Sequence, residues 1–266
     1  MRAEPAGQGP PGPTSLLRPH DRILTRVGGS SSVRGKAIEA AWRGQVECLA
    51  CGIRESALFA DLQEDDFAHI HLPIDEIDFE TGTALYHVGD PGQAVFTVRF
   101  GLVKLVSYLA DGGQRIVRLL RPGDTAGMES LLGLNYEHTA IALRPTGTCR
   151  IPREIVNRLA ERTPRMHAQL MQRWQRSVQQ ADAWLTSLST GNAKARVARL
   201  LLLLLDGTDG SDCTLFGRED MGAMLGVTTE TTSRIVAEFR RTGILNETGP
   251  NRYTCDVEAL TRIAGS

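Results

Sequence analysis

The chain has 266 residues, of which 41% are hydrophobic, and its formal net charge is −1. This length allows two modest domains with a connecting element, and the near-neutral charge excludes nucleic-acid binding through overall basicity. The longest uninterrupted apolar run, Leu200 to Leu205, is too short to span a bilayer, so no membrane association is expected.

Residues 1–45 are expected to form a flexible tail. The first 40 residues contain five of the twelve prolines and a Gly-Gly-Ser-Ser-Ser run at 28–32. Such a segment buries too little apolar surface to offset the entropy lost on ordering. It also lacks the apolar stretch of a signal peptide, so a cytoplasmic location is expected.

Residues 46–152 are expected to form a jelly-roll sensor domain that begins with a cysteine-containing segment. From Ala57 to about Arg150, short apolar stretches alternate with glycine-centred turns, which is typical of β-sandwiches and jelly-roll barrels. The clearest predicted hairpin joins residues 102–109 to residues 115–120 through the turn Ala110-Asp-Gly-Gly113. The fold class that the whole chain indicates is α+β.

Residues 153–190 are expected to be helical and to form the dimer interface. From Trp174 onward the apolar residues are spaced by four, three, four and three positions, which is the heptad seam of a two-stranded coiled coil. Packing of this helix on its own barrel is the alternative. The dimerisation residues predicted from the pattern are Met166, Leu170, Trp174, Val178, Ala181 and Leu185.

Residues 191–266 are expected to form a winged helix-turn-helix domain. A hinge at 190–192 precedes a helix over 193–205 and a loop over 206–212. Two amphipathic helices with a tight turn at Gly226-Val227 fit residues 218–239, and the Thr228/Thr229 region can cap the second helix. Residues 245–254, with Gly249-Pro250 at the tip, are typical of a β-hairpin wing.

The outward side of the second of these helices is suited to contact base edges. Its stripe has i, i+1, i+4, i+5 spacing and carries a carboxylate, hydroxyls and a guanidinium near the helix N-terminus. The stripe consists of Thr229, Glu230, Ser233 and Arg234. Residues 190–266 contain nine Lys and Arg against ten Asp and Glu, so phosphate contacts need individually placed cations. The candidates are Arg218, Arg240, Arg241 and Arg252.

Five cysteines in a chain expected in the cytoplasm do not indicate a disulfide framework. Cys48 and Cys51 form a C-x-x-C pair, whereas Cys149, Cys213 and Cys255 stand alone in the sequence, the last two as expected structural residues. The chain contains no metalloprotease, P-loop, nucleophile-elbow or dinucleotide-binding motif, so an enzyme is not predicted.

The order of these elements resembles the CRP/FNR superfamily of bacterial transcription regulators. The resemblance covers residues 48 to about 262. Its most specific phrases are Gly101-Leu-Val-Lys104, Arg121-Pro-Gly-Asp124, Thr148-Cys-Arg-Ile-Pro152 and Val227-Thr-Thr-Glu-Thr-Thr-Ser-Arg234. It implies a homodimer that binds palindromic double-stranded DNA and works with RNA polymerase.

Within the superfamily, the second helix resembles the FNR branch, where Glu, Ser and Arg at this spacing contact a site close to TTGAT-N4-ATCAA. A Glu can accept from cytosine N4, and an Arg can donate to guanine. A catabolite-activator regulator would have Arg at position 229 and usually Gly at 233. The DNA-binding residues that the resemblance implies are Thr228, Thr229, Glu230, Ser233, Arg234, Arg218 and Arg240.

The FNR branch also holds an oxygen-labile four-iron, four-sulfur cluster through a C-x-x-C-x5-C segment and a distant cysteine before Ile-Pro. Cys48, Cys51 and Cys149 match three of the four positions, but the remaining one falls on Ala57. Three thiolates do not complete such a cluster. The candidate fourth ligands are Asp61, Glu55, Glu47, Ser56, His69 and His71, or an external thiol.

Other signals remain open at this point. They are a thiol switch at Cys48 and Cys51, haem or another small ligand in the barrel, and a vestigial sensor site; a metal-binding protein without a DNA function is a further alternative. Cyclic AMP is disfavoured, because the stretch Gly127-Met-Glu129 is followed by Glu137-His138-Thr139, without the arginine that would bind the cyclic phosphate.

Overall fold

The computed structural model describes residues 58–60, 62, 66, 74–205 and 211–265. The predicted tail, Cys48, Cys51 and all six candidate non-cysteine ligands lie outside these residues.

Residues 74–152 form a sandwich of two four-stranded sheets. The strands are β1 Asp75–Phe79, β2 Ala84–Tyr86, β3 Ala94–Phe100, β4 Val103–Tyr108, β5 Gln114–Leu120, β6 Thr125–Ala126, β7 Thr139–Ala142 and β8 Thr146–Pro152. The strand order is β1-β8-β3-β6 in one sheet and β2-β7-β4-β5 in the other.

Apolar side chains of both sheets point into the space between them and form the core of the sandwich. Phe96 and Val98 from one sheet meet Leu105 and Leu120 from the other in a buried cluster. The predicted hairpin is confirmed, because β4 and β5 pair antiparallel on either side of the expected turn. A 3₁₀ helix, Met128–Leu132, connects β6 to β7.

Two helices follow the sandwich. They are α1, Arg153–Arg162, and α2, Pro164–Ser187. The sequence pattern predicted one helical region, but the chain breaks at Thr163, because Pro164 lacks an N–H and fits only the first turn of a new helix. Ile155 and Leu159 of α1 are completely buried against the sandwich.

The first part of α2 packs on its own sandwich, which corrects part of the seam prediction. Met166 is 0% exposed and Leu170 is 8% exposed, and both belong to the cluster formed with α1 and β8. Further along α2, Val178, Ala181 and Leu185 are exposed. Met171, which the sequence pattern did not single out, is 51% exposed and lies three residues before Trp174. The outward apolar stripe therefore begins at Met171.

The C-terminal part contains four helices and a three-stranded sheet of order β10-β11-β9. The helix-turn-helix and the hairpin wing lie where the sequence predicted them, whereas β9 and the last helix were not predicted. The elements are α3 Ala193–Leu205, β9 Asp212–Thr214, α4 Arg218–Leu225, α5 Thr229–Arg241, β10 Leu245–Gly249, β11 Arg252–Cys255 and α6 Val257–Ala264. None of the helices in the described ranges is long and apolar enough to cross a membrane.

The helix-turn-helix part packs directly on the β4–β5 hairpin. Val106 and Ile116 of the hairpin share one buried cluster with Met221 and Leu225 of α4. A half-buried ion pair between Lys104 of β4 and Asp220 of α4 lies at the edge of this contact. The sandwich and the DNA-binding part thus share an apolar core, and the position of α4 and α5 depends on the hairpin.

Candidate nucleic-acid interface

The turn between α4 and α5 is fixed by two glycines. Gly226 ends α4 with a φ of 65°, in the left-handed region that favours glycine. Gly222 lies where an added Cβ would come within 2.7 Å of the Val227 carbonyl oxygen. The Arg196 guanidinium of α3 donates a 2.8 Å hydrogen bond to the Leu225 carbonyl at the end of α4. These contacts set the angle at which α5 leaves the turn.

Helix α5 is anchored on its inner side and capped at its start. Ile235, Val236 and Phe239 are buried in the core that α5 shares with α4. The Thr228 hydroxyl accepts a 3.1 Å hydrogen bond from the Thr231 N–H, which satisfies one of the unpaired donors of the first turn. Thr228 was predicted to contact DNA as well, and its side-chain oxygen serves the helix cap.

The predicted polar stripe lies on the outer side of α5. Thr229, Glu230, Ser233 and Arg234 are all exposed. Within the described part of the chain, no hydrogen bond or ion pair engages the side chains of Glu230, Ser233 or Arg234. One carboxylate, one hydroxyl and one guanidinium therefore project together from the N-terminal half of a rigid helix, as direct contact with base edges in a major groove requires.

The arginines around this stripe differ in exposure and in ion pairing. Arg240 forms a 2.6 Å ion pair with Glu247 of β10, and both line a shallow groove of about 530 Å³ between α5 and the wing. Arg218 is half-buried, with its guanidinium 3.5 Å from the Met221 sulfur. Arg241 and Arg252 are exposed. The latter two are thus better placed for a phosphate than Arg218.

Lys194 of α3 forms an ion pair with Glu238 in the C-terminal half of α5. The Lys194 ammonium lies 2.7 Å from a carboxylate oxygen of Glu238 and 5.9 Å from the centre of the Phe239 ring. The hydrogen bond from Lys194 lowers the pKa of Glu238, so this carboxylate is ionised at neutral pH. This contact was not predicted from the sequence, because a lysine and a glutamate 44 positions apart form no local pattern.

Comparison with known proteins identifies the two parts. A cyclic nucleotide-binding domain matches residues 76–163, and a Crp-like helix-turn-helix domain matches residues 195–263. The solved structure of FixK2 from Bradyrhizobium japonicum has a TM-score of 0.67 at 25% identity, covering 73% of this chain and 99% of that one. The chain belongs to the CRP/FNR family of transcription regulators.

Curated CRP/FNR relatives match most of the chain. It is 28% identical over 232 residues to the transcriptional activator protein Anr of Pseudomonas aeruginosa, covering 83% of this chain and 93% of that protein. It is 25% identical over 228 residues to the fumarate and nitrate reduction regulatory protein of Yersinia pestis, covering 83% and 91% of the two chains. The predicted fold class is confirmed, and the family is one of DNA-binding proteins that are not enzymes.

One of the three predicted cluster cysteines lies in the described part of this CRP/FNR regulator. Cys149 is a half-buried residue of β8, opposite Glu76 of β1 and Thr97 of β3. It packs against the apolar cluster that contains Leu58 and Phe59. Among the described residues, no group of three His, Cys, Asp or Glu side chains could hold a metal ion. A metal centre at Cys149 would therefore need ligands from outside the described residues, such as Cys48 and Cys51.

The region that corresponds to a nucleotide-binding pocket is filled by side chains of the regulator. The Tyr136 ring stacks on Tyr86 with centroids 3.8 Å apart, and it covers Gly127. The Glu129 carboxylate accepts a 3.2 Å hydrogen bond from the Glu137 N–H. Burial lowers the pKa of His138, so its imidazole is neutral at pH 7. Residues 137–139 thus supply no cation beside Glu129, and the cation that acts on His138 is Arg118 of β5.

Proposed function

We propose that this CRP/FNR-family regulator binds a TTGAT-N4-ATCAA-type palindrome through α5. The observation that carries the proposal is the set of Glu230, Ser233 and Arg234 side chains, exposed together and without a hydrogen bond or ion pair to the described residues. The half-site contains one G·C pair, for which a carboxylate can accept from cytosine N4 and a guanidinium can donate to guanine. Ser233 and Thr229 suit the neighbouring thymine edges.

The regulator acts as a dimer through the outward stripe of α2. Met171, Trp174, Val178, Ala181 and Leu185 follow each other at steps of three, four, three and four residues. Three of them are at least 49% exposed, with Leu185 the most exposed at 72%. Apolar residues at this spacing are buried by a second helix in a parallel coiled coil. A two-fold axis along α2 would place the two α5 helices about 34 Å apart, one turn of DNA.

The sensor site that the chain best supports is an iron–sulfur centre at Cys48, Cys51 and Cys149. Cys149 packs against the apolar cluster that contains Leu58 and Phe59, and Cys51 lies only seven positions before Leu58. Seven residues span at most about 25 Å, so the C-x-x-C pair lies within reach of Cys149. Thiolates are the ligands that such clusters require.

The fourth ligand would come from an oxygen or nitrogen donor in the same N-terminal segment or from an external thiol. When bound, the cluster supplies redox- and oxygen-sensitive chemistry. Cys149 would hold it against β8, in the same apolar cluster as Met166 and Leu170 of α2. A change at Cys149 would therefore alter the packing of Met166 and Leu170 in the first part of α2, which precedes the proposed dimer stripe.

Cyclic AMP does not suit the barrel. The family's phosphate site needs an arginine where this chain has Glu137-His138-Thr139, and Glu137 would repel the anion. The Tyr86–Tyr136 stack and the contact of Tyr136 with Gly127 occupy the neighbouring space. We therefore place the signal at the cysteine site and not in the barrel.

The DNA part of the proposal is tested by binding to a labelled TTGAT-N4-ATCAA duplex at fixed salt. Glu230→Ala and Arg234→Ala are expected to lower affinity about 5- to 150-fold, because a good side chain–base pair contributes about 1–3 kcal/mol. Arg262→Ala is the matched control, since it removes an exposed arginine from α6. Wild-type affinity in both α5 variants would exclude the assignment.

The sensor part is tested by anaerobic purification followed by iron and acid-labile sulfide analysis and absorption spectroscopy. The wild type is expected to contain iron and sulfide, and Cys48→Ala and Cys149→Ala are expected to lose them. Cys255→Ala is the control, because Cys255 lies in the DNA-binding part. An iron-free wild type that forms a Cys48–Cys51 disulfide in air would instead support the thiol switch, and it would contradict the cluster.

A further inference from the structure

Two cysteines that stand far apart in the sequence meet in the DNA-binding part. Cys213 lies on β9 and Cys255 on β11, and their sulfur atoms are 3.1 Å apart. Both side chains are buried, with exposures of 4% and 6%. The sequence alone predicts two separate structural residues, because they are 42 positions apart and no motif links them.

The strand register explains why the two sulfurs meet. Cys213 pairs with Tyr253 across the antiparallel β9–β11 ladder, and Cys255 lies two residues further along β11. Residues two apart on a strand point to the same face, so Cys213 and Cys255 are diagonal neighbours on one face of the sheet. Their sulfurs are only about 1 Å beyond the bond length of a disulfide.

The surroundings of the pair make the two sulfurs chemically unequal. The hydrogen bond with Cys255 lowers the pKa of the Cys213 thiol more than burial and the Asp212 carboxylate raise it, and the Arg144 guanidinium contributes a smaller lowering. The same hydrogen bond and burial raise the pKa of Cys255. Arg144 comes from the sandwich and donates a 2.8 Å hydrogen bond to the Thr214 carbonyl, next to Cys213.

Such a pair can be either an inert buried contact or a dithiol that oxidises. A thiolate beside a cation is the nucleophilic form of cysteine, and a second thiol within bonding reach resolves its oxidised product. Both conditions are met here by the same two residues. An inert pair would need neither the arginine beside one sulfur nor a sulfur–sulfur approach closer than that of two packed side chains.

We propose that Cys213 and Cys255 form a redox-active dithiol that closes to a disulfide when the protein meets hydrogen peroxide. The Cys213 thiolate attacks one peroxide oxygen and the O–O bond breaks. A sulfenic acid forms on Cys213, and the departing hydroxide takes up the proton that the Cys213 thiol released. The Cys255 sulfur then attacks the Cys213 sulfur, the S–O bond breaks, and the departing hydroxide takes the Cys255 proton. The two thiols lose two electrons in total, and one peroxide is reduced to two waters.

The bond would tie β9 to β11 and close a loop that contains α4, α5 and β10. This loop includes the whole helix-turn-helix and the first strand of the wing. A cross-link between residues of a folded domain stabilises it chiefly by restricting the unfolded chain. The oxidised DNA-binding part should therefore resist unfolding more than the reduced one. This site is separate from Cys48, Cys51 and Cys149, so the regulator would carry a second redox-sensitive position.

The test uses the reduced full-length protein, treated with hydrogen peroxide and then blocked with N-ethylmaleimide in denaturant. Trypsin releases Cys213 in the peptide 200–218 and Cys255 in the peptide 253–262, each with a single cysteine. The expected product is one species with the summed mass of both peptides less two hydrogens, which dithiothreitol separates again. Recovery of both peptides carrying N-ethylmaleimide, or linked to other cysteines, would overturn the proposal.

Two variants test the order of the steps and separate this pair from the other cysteines. In Cys255→Ser, peroxide followed by dimedone is expected to label residue 213, whereas Cys213→Ser should leave Cys255 unlabelled. Cys149→Ser is the control, and it should form the 213–255 cross-link as the wild type does. A dimedone label on Cys255 in Cys213→Ser would contradict the assignment of Cys213 as the attacking sulfur.

Discussion

At the scale of single residues, the structure separates the side chains that build α5 from those that α5 presents to a partner. Thr228 illustrates the difference. The sequence placed it both at the cap and among the DNA contacts, because an N-terminal threonine is common in either role. Its hydroxyl accepts from the Thr231 N–H and donates to the Thr231 hydroxyl, so it acts first on the helix itself.

Replacing Thr228 by alanine is expected to lower the free energy of unfolding by about 1 kcal/mol, because the cap is lost. Thr228→Ser keeps the hydroxyl and should stay within a few tenths of a kcal/mol of the wild type. Urea denaturation followed by circular dichroism measures both. Equal stability of the alanine variant and the wild type would contradict a stabilising role of the Thr228 cap.

At the scale of elements, sequence periodicity predicted most of the helices but not how each helix is used. The helix-turn-helix, the helix over 193–205 and the β4–β5 hairpin follow from local patterns, since each has its own turn residues and apolar spacing. Helix α2 shows where the pattern fails. Met166 and Leu170 were predicted for the dimer seam but pack on α1 and β8, because apolar residues three or four positions apart on a helix serve both purposes.

Strand β9 was missed for a related reason. It has three residues, Asp212–Thr214, and is too short to show an alternating pattern. Its partner β11 lies about 40 positions away, so only the tertiary structure brings Cys213 to Cys255. The cluster segment before Leu58 lies outside the described residues, and its ligands remain a prediction from the sequence.

The outward stripe of α2 gives a prediction for this element. Leu185→Glu is expected to dissociate the dimer, because a charge at a seam position meets its own copy across the axis. Ala183→Glu adds the same charge to an exposed position two residues away, on the opposite side of α2, and should leave the dimer intact. Light scattering coupled to size-exclusion chromatography distinguishes the two. A Leu185→Glu protein that remains dimeric would show that this stripe is not the dimer interface.

At the scale of the whole molecule, the sandwich and the DNA-binding part behave as one packed body. Besides the shared core, the Arg121 guanidinium donates to the Leu203 carbonyl, and Arg144 donates to the Thr214 carbonyl. Each bond joins a residue of the sandwich to the C-terminal part. No sequence pattern predicts such contacts, because their partners lie 70 or more positions apart. Through these contacts, a structural change in the sandwich would be expected to shift the C-terminal part that contains α4 and α5.

Substitutions in the Lys104–Asp220 ion pair test how strongly the sandwich and the DNA-binding part stabilise each other. Its side chains are only 11% and 18% exposed, so Lys104→Met would leave a carboxylate largely buried without its cation. The expected loss is about 2–3 kcal/mol in the free energy of unfolding. The double variant Lys104→Met/Asp220→Asn removes both charges and should recover part of it. A double variant whose loss equals the sum of both single losses would show that the pair is not coupled.

The central claim, that α5 determines which DNA the regulator binds, is tested most directly by exchanging one base pair. Fluorescence anisotropy compares the TTGAT-N4-ATCAA duplex with one in which the G·C pair of each half-site is replaced by A·T. We expect the wild type and Arg262→Ala to bind the exchanged duplex at least about fivefold more weakly, and the double variant Glu230→Ala/Arg234→Ala to bind both duplexes alike. A wild type that does not distinguish the two duplexes, or a double variant that still does, would contradict the account.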